Sequence, residues 1–226
     1  MLRGNVAVIS PHLDDAAFSL GATIARISRA GASVRIVTVL AGDARAVFPA
    51  GAWDRSSGFD TAGHAARARA AEDDVASAIL GARAVRLPYF DKQYSRGGDD
   101  AEIRAAILGA VAGCDVLLAP GFPLTHEDHE WLARLLIGDL ESGRRVGLYV
   151  EQPYTARMKA TPKALFNESG PWEVLPGGPA DQFAKLRACR AYKSQIEPLG
   201  GLRVLMAVLR YEAQRGGESI SWIDDS

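Results

Sequence analysis

Short apolar runs alternate along this chain with longer segments whose apolar residues recur at helical spacing. Residues 6–9 form the first apolar run, and in residues 15–30 the apolar side chains, Ile24 and Ile27 among them, are spaced as in an amphipathic helix. Gly31 follows that segment and is a typical helix terminator. Strand-like and helix-like segments that alternate in this way predict an α/β fold with a mostly parallel sheet.

The same pattern predicts the remaining elements. Further strands are expected at residues 34–40, 85–89, 115–120 and 146–150, with an edge strand at 219–223. Further helices are expected at residues 63–80, 99–112, 127–140, 181–195 and 201–214. Two segments look irregular: residues 44–62, and the proline-rich residues 153–181, which we expect to form a lid or a pocket wall. No repeat or linker divides the chain, so residues 1–226 are expected to form one domain.

Composition narrows the expected partners and compartment. The 26 basic and 27 acidic residues are balanced, which argues against non-specific nucleic-acid binding. The sequence shows neither a signal-peptide core nor an apolar stretch near the roughly 20 residues of a membrane span, so no membrane association is expected. Cys114 and Cys189 are far apart in sequence, and we expect both to be reduced and buried, as is typical of a cytoplasmic protein.

The first strand is followed directly by a cluster of candidate metal ligands. His12, Asp14 and Asp15 lie close together in sequence, at the point where the buried strand should end. An imidazole and a carboxylate three residues apart are a good ligand pair for Zn²⁺, and the adjacent second carboxylate is then free for proton transfer. Taken alone, the same residues are also compatible with an ordinary turn and helix N-cap.

A second cluster also follows a strand and opens a helix. It contains His126, Asp128 and His129, so three of the four histidines of the chain lie in two strand-end loops. The carboxyl ends of parallel strands share one edge of the sheet, where open α/β sheets bind their ligands, so we expect the two clusters to meet. Histidines on a helix face are often only solvated or hydrogen-bonded, but the pairing with His12 favours a metal site.

Together the two clusters resemble the motifs of the PIG-L/LmbE-like family of zinc-dependent N-deacetylases. That family carries His-Pro-Asp-Asp-Glu and His-Pro-Asp-His, which correspond here to residues 12–16 and 126–129. Three further segments resemble the family: residues 69–72, 87–91 and 185–195. The resemblance covers roughly residues 5–200 and implies a Rossmann-like three-layer sandwich. It also implies a hydrolase that removes an acyl group, with acetyl the expected one, from the nitrogen of a small amino-sugar-like molecule.

The resemblance further implies a role for each residue of the two clusters. The residues that match the ligands of one Zn²⁺ per chain are His12, Asp15 and His129. Two histidines and one aspartate leave a fourth metal position for water, as in catalytic zinc sites. Asp14 matches the general base. His126, when protonated, would stabilise the oxyanion, and Asp128 would orient His126 and raise its pKa.

Substrate contacts are expected from Asp91, Arg69 and Asp43. Asp91 and Arg69 lie in segments that resemble the family, although Arg69 is also placed to pair with Asp73 along its helix. Asp43 ends a strand on the functional edge and is equally suited to a turn or an N-cap. The irregular segments are expected to select the substrate.

The chain departs from the family at three places. Ala16 replaces a frequent Glu and Leu13 replaces Pro, and neither position is a ligand, so altered packing is expected there. Residues 123–125 contain no counterpart of the mobile Tyr that some members carry before the second motif. Candidates to take its place are Tyr89, Tyr94 and Tyr154. Two alternative functions stay open: an amidase that acts on a larger conjugate, and a catalytically silent metal-binding relative. The chain could also form a homo-oligomer.

Overall fold

A twisted sheet with helices on both faces forms the centre of the protein. The computed structural model describes residues 2–137, 144–164, 166 and 169–223. The strands are β1 (Asn5–Ser10), β2 (Ser33–Thr38), β3 (Arg83–Arg86), β4 (Val116–Phe122), β5 (Arg145–Val150), β6 (Ser169–Leu175) and β7 (Glu218–Ile223). Their order across the sheet is β3-β2-β1-β4-β5-β7-β6. The first five strands are parallel, and β7 runs antiparallel to both β5 and β6.

Helices pack on the two faces of this sheet. They are α1 (Asp15–Arg29), α2 (Ala52–Ser56), α3 (Ala62–Leu80), α4 (Asp100–Ala110), α5 (Glu127–Ile137), α6 (Tyr154–Met158), α7 (Pro179–Ala191), α8 (Lys193–Ile196) and α9 (Leu202–Arg215). Because side chains alternate along a strand, Val6 and Val8 belong to the core shared with α1, α3, α7 and α9. Ala7 and Ile9 belong to the core shared with α4 and α5. The predicted three-layer α/β sandwich is therefore confirmed.

The carboxyl-terminal part of the sheet differs from the prediction. Residues 153–181 are not irregular throughout, because they contain α6 and the complete strand β6. Pro171 lies in β6, which is the last strand of the sheet, and a proline without an N–H is tolerated in such an edge strand. The sequence predicts β7 as the edge strand, but β7 lies between β5 and β6. The predicted end of the helix that corresponds to α5, at residue 140, lies outside the described residues.

Helix α1 has a break near its middle that a buried carboxylate stabilises. Leu20 has non-helical backbone angles (φ −131°, ψ 15°), so the hydrogen-bond pattern of the helix is interrupted there. The N–H groups of Ala22 and Thr23 donate instead to the two carboxylate oxygens of Glu218 in β7, at 2.9 and 2.7 Å. The Lys185 ammonium lies 2.7 Å from Glu218 Oε1 and compensates its charge. The middle of α1 is thereby tied to β7 and α7.

Replacing Lys185 with methionine is expected to destabilise the fold by about 3–5 kcal/mol, because it leaves buried carboxylates without their cation. The Lys185 side chain is 1% exposed and lies 2.6 Å from Glu212 and 2.7 Å from Glu218, both equally buried. Urea unfolding measures the loss. The matched control is Arg134→Met, which removes an exposed ion pair with Glu130 and should cost less than about 1 kcal/mol. Equal stabilities of the two variants would contradict this account.

Both cysteines are buried and unpaired, as predicted. None of the helices in the described part of the chain is long and apolar enough to span a membrane.

Candidate metal centre

The turn between β1 and α1 presents Asp14 and Asp15 at the carboxyl edge of the sheet. The Ser10 hydroxyl bridges the turn, because it donates to the His12 carbonyl oxygen at 2.7 Å and accepts from the Ala16 N–H at 3.1 Å. Asp15 Oδ2 accepts the backbone N–H of His12 at 2.9 Å. Since β1 lies between β2 and β4, this turn is at the point where the strand order reverses, which is where open α/β sheets bind ligands.

Three side-chain atoms from the two clusters form a nearly equilateral triangle, here called the ligand triangle. His12 Nδ1 lies 3.2 Å from Asp15 Oδ2 and 3.2 Å from His129 Nε2, and His129 Nε2 lies 3.3 Å from Asp15 Oδ2. A tetrahedral zinc ion with bonds of about 2.1 Å separates its ligand atoms by about 3.4 Å. The spacing and the chemistry of this His/Asp/His set therefore fit a divalent metal such as Zn²⁺. The structure thus brings together the three ligands predicted from the sequence.

Each histidine of the ligand triangle is held by a further carboxylate on its other ring nitrogen. Glu151 Oε1 lies 2.6 Å from His129 Nδ1, and Glu151 Oε2 accepts the Leu124 N–H at 2.9 Å. Asp128 Oδ2 lies 3.2 Å from His12 Nε2. A carboxylate that accepts the N–H of one ring nitrogen leaves the lone pair of the other nitrogen for a metal. The two carboxylates therefore orient both imidazoles toward the centre of the triangle.

Sequence reasoning missed Glu151. It directly follows β5, the neighbour of β4 in the sheet, so it lies at the same edge as the two clusters. A single glutamate belongs to no recognisable motif, and its position at the carboxyl end of a parallel strand is the signal that would have indicated it. The Glu151 side chain is 1% exposed, and a carboxylate this buried needs a specific partner.

Replacing Glu151 with glutamine is expected to weaken zinc binding by about 10–100-fold, the usual cost of losing a carboxylate behind a metal-bound histidine. Glutamine keeps the volume of the side chain but removes its charge. Competition with a chelator measures the affinity. Glu130→Gln, on the exposed face of α5, is the matched control and should bind zinc as the wild type does. Unchanged affinity in the Glu151 variant would contradict the assigned role.

The position of Asp128 corrects the predicted pairing with His126. Asp128 is closest to His12 and to Arg96, whose Nη2 lies 2.6 Å from Asp128 Oδ1. Its Oδ2 lies 3.9 Å from His126 Nδ1. The pKa of His126 is lowered rather than raised, because burial and the positive charges of His12 and His129 outweigh the attraction of Asp128.

Asp14 lies beside the ligand triangle and has a different electrostatic environment from Asp15. Burial and the negative charge of Asp15 raise the pKa of Asp14. Burial also acts to raise the pKa of Asp15, but the charges and hydrogen bonds of His129 and His12 outweigh it and lower that pKa. The two adjacent carboxyl groups thus differ: Asp15 stays charged, whereas Asp14 can exchange protons near neutral pH.

The ligand triangle opens into a cavity of about 730 Å³, which lies within the range of about 300–1,000 Å³ typical of small-molecule sites. His12, Asp14 and Asp15 line it together with His126 and Asp128. A second part of its wall is apolar and consists of Leu40, Ala41, Ala62, Ala65, Ala66 and Phe90. One cavity therefore joins polar reactive groups to an apolar wall.

Two of the three predicted substrate contacts line this cavity. Arg69 lines it, and its Nη2 lies 2.6 Å from Asp54 Oδ1 rather than pairing with Asp73. Asp91 also lines the cavity, and its carboxylate accepts hydrogen bonds from Gln93. The structure does not bring Asp43 into the cavity lining. Its carboxylate is held by its neighbour Arg45 at 3.0 Å, because the two residues form a local turn.

The two segments expected to select the substrate each contribute three described residues to the cavity lining. Residues 44–62 provide Trp53, Asp54 and Ala62, and residues 153–181 provide Pro153, Tyr154 and Arg157 at their amino-terminal end. Of the three tyrosine candidates, Tyr154 packs against the ligand triangle, with its ring centroid 5.3 Å from that of His129. Tyr94 also lines the cavity but donates its hydroxyl to Asp54 at 2.6 Å.

Known proteins share sequence and fold with this chain. Residues 7–138 match the family described as PIG-L, GlcNAc-PI de-N-acetylase. The solved structure of the A40926 pseudoaglycone deacetylase Dbv21 is 28% identical, with 96% of each chain covered and a TM-score of 0.81. A triple mutant of a deacetylase of teicoplanin biosynthesis is 25% identical, with 98% of this chain and 100% of that chain covered and a TM-score of 0.84.

A more distant structure shares the fold. The N,N'-diacetylchitobiose deacetylase from Pyrococcus horikoshii is 19% identical, with 96% of this chain and 83% of that chain covered and a TM-score of 0.59. No curated protein matches the sequence. The family match spans more than half of the chain and the solved relatives share its architecture, so this protein belongs to the PIG-L family of deacetylases.

Proposed function

We propose that this protein is a zinc-dependent hydrolase that removes an N-acyl group, with acetyl the expected one, from an amino-sugar-like substrate. The ligand triangle beside Asp14, at one end of the cavity, is the observation that carries this proposal. The family description, which names a de-N-acetylase of a GlcNAc compound, supports the choice of an N-acetylated amino sugar.

His12, Asp15 and His129 would hold one Zn²⁺ per chain. When bound, the metal supplies Lewis acidity toward a water molecule and toward the amide carbonyl. Asp14, with its raised pKa, takes a proton from the attacking water and later delivers it to the leaving nitrogen. Burial of these groups beside the cavity strengthens their electrostatic interactions with the reacting amide.

His126 would stabilise the oxyanion as a neutral hydrogen-bond donor. The Asp128 backbone N–H donates to His126 Nδ1 at 3.2 Å, so in the neutral imidazole the proton is on Nε2. The lowered pKa of His126 also favours that neutral form. The Nε2–H group then donates to the carbonyl oxygen as negative charge develops there. This changes the expected role from a protonated histidine to a neutral one, while Asp128 contributes through its backbone.

Arg69 and Asp91 are the proposed polar contacts of the substrate, and Asp43 is no longer included. We expect Asp91→Ala to lower kcat/KM by about tenfold or more, since a hydrogen bond to a charged group contributes roughly 1.5–3 kcal/mol. Metal content should stay at the wild-type level, because Asp91 is outside the ligand triangle. Steady-state kinetics with elemental analysis measure both. Loss of metal from this variant would place Asp91 in the metal centre and contradict the assignment.

A larger conjugate is a second candidate substrate, and the apolar wall favours it. Leu40, Phe90 and three alanines of α3 offer apolar surface that a simple N-acetyl hexosamine does not need. A relative of 28% identity is named as the deacetylase of the pseudoaglycone of the antimicrobial reagent A40926. The same metal chemistry would serve an amidase for such conjugates, since only the fit of the amine portion differs.

A panel of N-acyl amino sugars, free and attached to apolar groups, tests the proposed function. Zinc is added at one equivalent, because the related fold of teicoplanin deacetylase Orf2 is known in a zinc-inhibited form. Release of a free amine from members of the panel supports the proposal, and a preference for the apolar conjugates supports the second candidate. Bound zinc without release from any member would indicate a silent metal-binding relative. The cytoplasmic location, the homo-oligomer and the absence of nucleic-acid partners stay predictions from the sequence.

A further inference from the structure

The Asp128 carboxylate lies between two histidines that have different roles. Its Oδ2 is 3.2 Å from His12 Nε2 and 3.9 Å from His126 Nδ1, and because His126 Nδ1 already accepts the Asp128 backbone N–H, only His12 offers the carboxylate an N–H. Contact with His12 leaves Nδ1 of that ring available to the ligand triangle. A rotation of the carboxylate away from His12 would leave that ring without the acceptor that fixes its tautomer. The orientation of Asp128 therefore decides whether His12 is presented to the metal.

Arg96 fixes that orientation from the opposite side. Its Nη2 lies 2.6 Å from Asp128 Oδ1, the oxygen that contacts neither histidine. The Asp128 side chain is 1% exposed, so the ion pair is shielded from solvent on the carboxylate side. The Arg96 guanidinium in turn stacks on the Trp131 ring, with 3.9 Å from its central carbon to the ring centroid. A planar guanidinium held on an aromatic face has little freedom to follow a rotating carboxylate.

The same arginine belongs to the loop that forms one wall of the cavity. The Arg96 carbonyl oxygen accepts the Phe90 N–H at 3.1 Å and closes this loop, and the Lys92 N–H donates to Asp128 Oδ2 at 3.2 Å. Asp91, a proposed substrate contact, lies between these two anchor points. Loop and metal centre are therefore connected through one carboxylate.

We propose that Arg96 is a positioning residue of the metal centre: it fixes Asp128 Oδ2 on His12, and so presents His12 Nδ1 for metal binding while it anchors the substrate-facing loop. This inference rests on the proposed zinc site. Arg96 is not itself among the residues that line the cavity, and the described structure shows no contact between it and the three atoms of the ligand triangle, so its effect on them passes through Asp128.

Zinc affinity of R96Q, measured by competition with a chelator, tests the proposal. We expect a loss of about tenfold, the lower end of the range for groups behind metal-bound histidines. The Co²⁺-loaded variant should also show a changed visible absorption spectrum, which a purely structural role would leave unaltered. R96K should recover part of the affinity, because it keeps the charge but not the planar stack. The matched control R134Q removes an exposed arginine of the same region and should bind zinc normally.

A double-mutant cycle with D128N decides whether Arg96 acts through Asp128. In the D128N background, R96Q should change the affinity by less than about twofold, because the two residues act as one unit. Wild-type affinity in R96Q, or a full additional loss in the double mutant, would overturn the inference. If R96Q does not fold, W131L replaces it, because this variant removes the aromatic ring that supports Arg96. Its zinc affinity is then measured alone and together with D128N. A wild-type protein that binds no zinc contradicts the proposed function as well, whereas equal affinities of wild type and R96Q contradict this inference alone.

Discussion

The Asp14→Asn variant is expected to lose about 10²–10⁴-fold in kcat while it keeps its metal, because it loses the general base and retains every ligand. Asp14 is adjacent in sequence to Asp15, a proposed ligand, yet it contributes no atom to the ligand triangle. Its raised pKa suits a group that takes and returns a proton near neutral pH. Amine release under saturating substrate, with zinc content measured on the same samples, separates the two effects.

An exposed aspartate provides the control for this variant. Asp60→Asn makes the same chemical change outside the cavity and should leave both turnover and zinc content unchanged. Near-normal turnover of Asp14→Asn with full zinc content would show that another residue is the general base. Loss of zinc from Asp14→Asn would instead make Asp14 a ligand, and the division of roles between the two adjacent carboxylates would be wrong.

The His129→Ala variant is expected to bind zinc at least about 100-fold more weakly than the wild type, which exceeds the usual effect of losing a group behind a ligand. His129 is completely buried and provides one corner of the ligand triangle. Its removal also leaves the Glu151 carboxylate without its partner at 2.6 Å. Elemental analysis and chelator competition measure the affinity, and thermal unfolding without zinc shows how much stability the buried pair contributes.

The other histidines of the chain make this prediction specific. His12→Ala removes a more exposed member of the same triangle. It should weaken zinc binding while Glu151 keeps its contact with His129. His64 is exposed on α3, and His64→Ala should bind zinc as the wild type does. A His129→Ala protein that contains as much zinc as the wild type would show that His129 is not a ligand.

The sequence predicted that the two clusters meet, because both clusters follow predicted strands and parallel strands end at a common edge. His12 and His129 each follow an apolar run that reads as a parallel strand, and parallel strands end at one edge of the sheet. Neighbouring positions of β1 and β4 in the sheet then bring the clusters within 3.2 Å. The resemblance to the PIG-L family, confirmed by comparison, supplied the division of roles among the residues.

The partners of Asp128 and Glu151 could not be predicted from the sequence pattern, because they depend on how side chains are oriented in the fold. Asp128 is two residues from His126 and was expected to orient it, but the placement of Arg96 in a distant loop directs the carboxylate to His12. Glu151 carries no motif, and only its position beside β4 makes it a partner of His129. Such contacts are long-range in sequence and have no local signal.

Edge elements were also hard to predict. Strand β6 contains Pro171 and is followed by Pro176, Gly177, Gly178 and Pro179. This composition indicated a loop. Its stability comes from pairing with β7 and from the packing of Trp172 against Phe122, both of which are tertiary effects. The placement of β7 inside the sheet follows from that pairing.

Titration of metal-free protein with zinc, followed by amine release from the best substrate of the panel, tests the central claim most directly. The account predicts that activity rises in proportion to added zinc and stops rising at about one equivalent per chain, as expected for a single catalytic site. Asp14→Asn, titrated in parallel, should take up the same zinc and stay inactive. Amine release that is already complete before zinc is added, or that does not depend on its amount, would contradict the claim that this protein is a zinc-dependent N-deacylase.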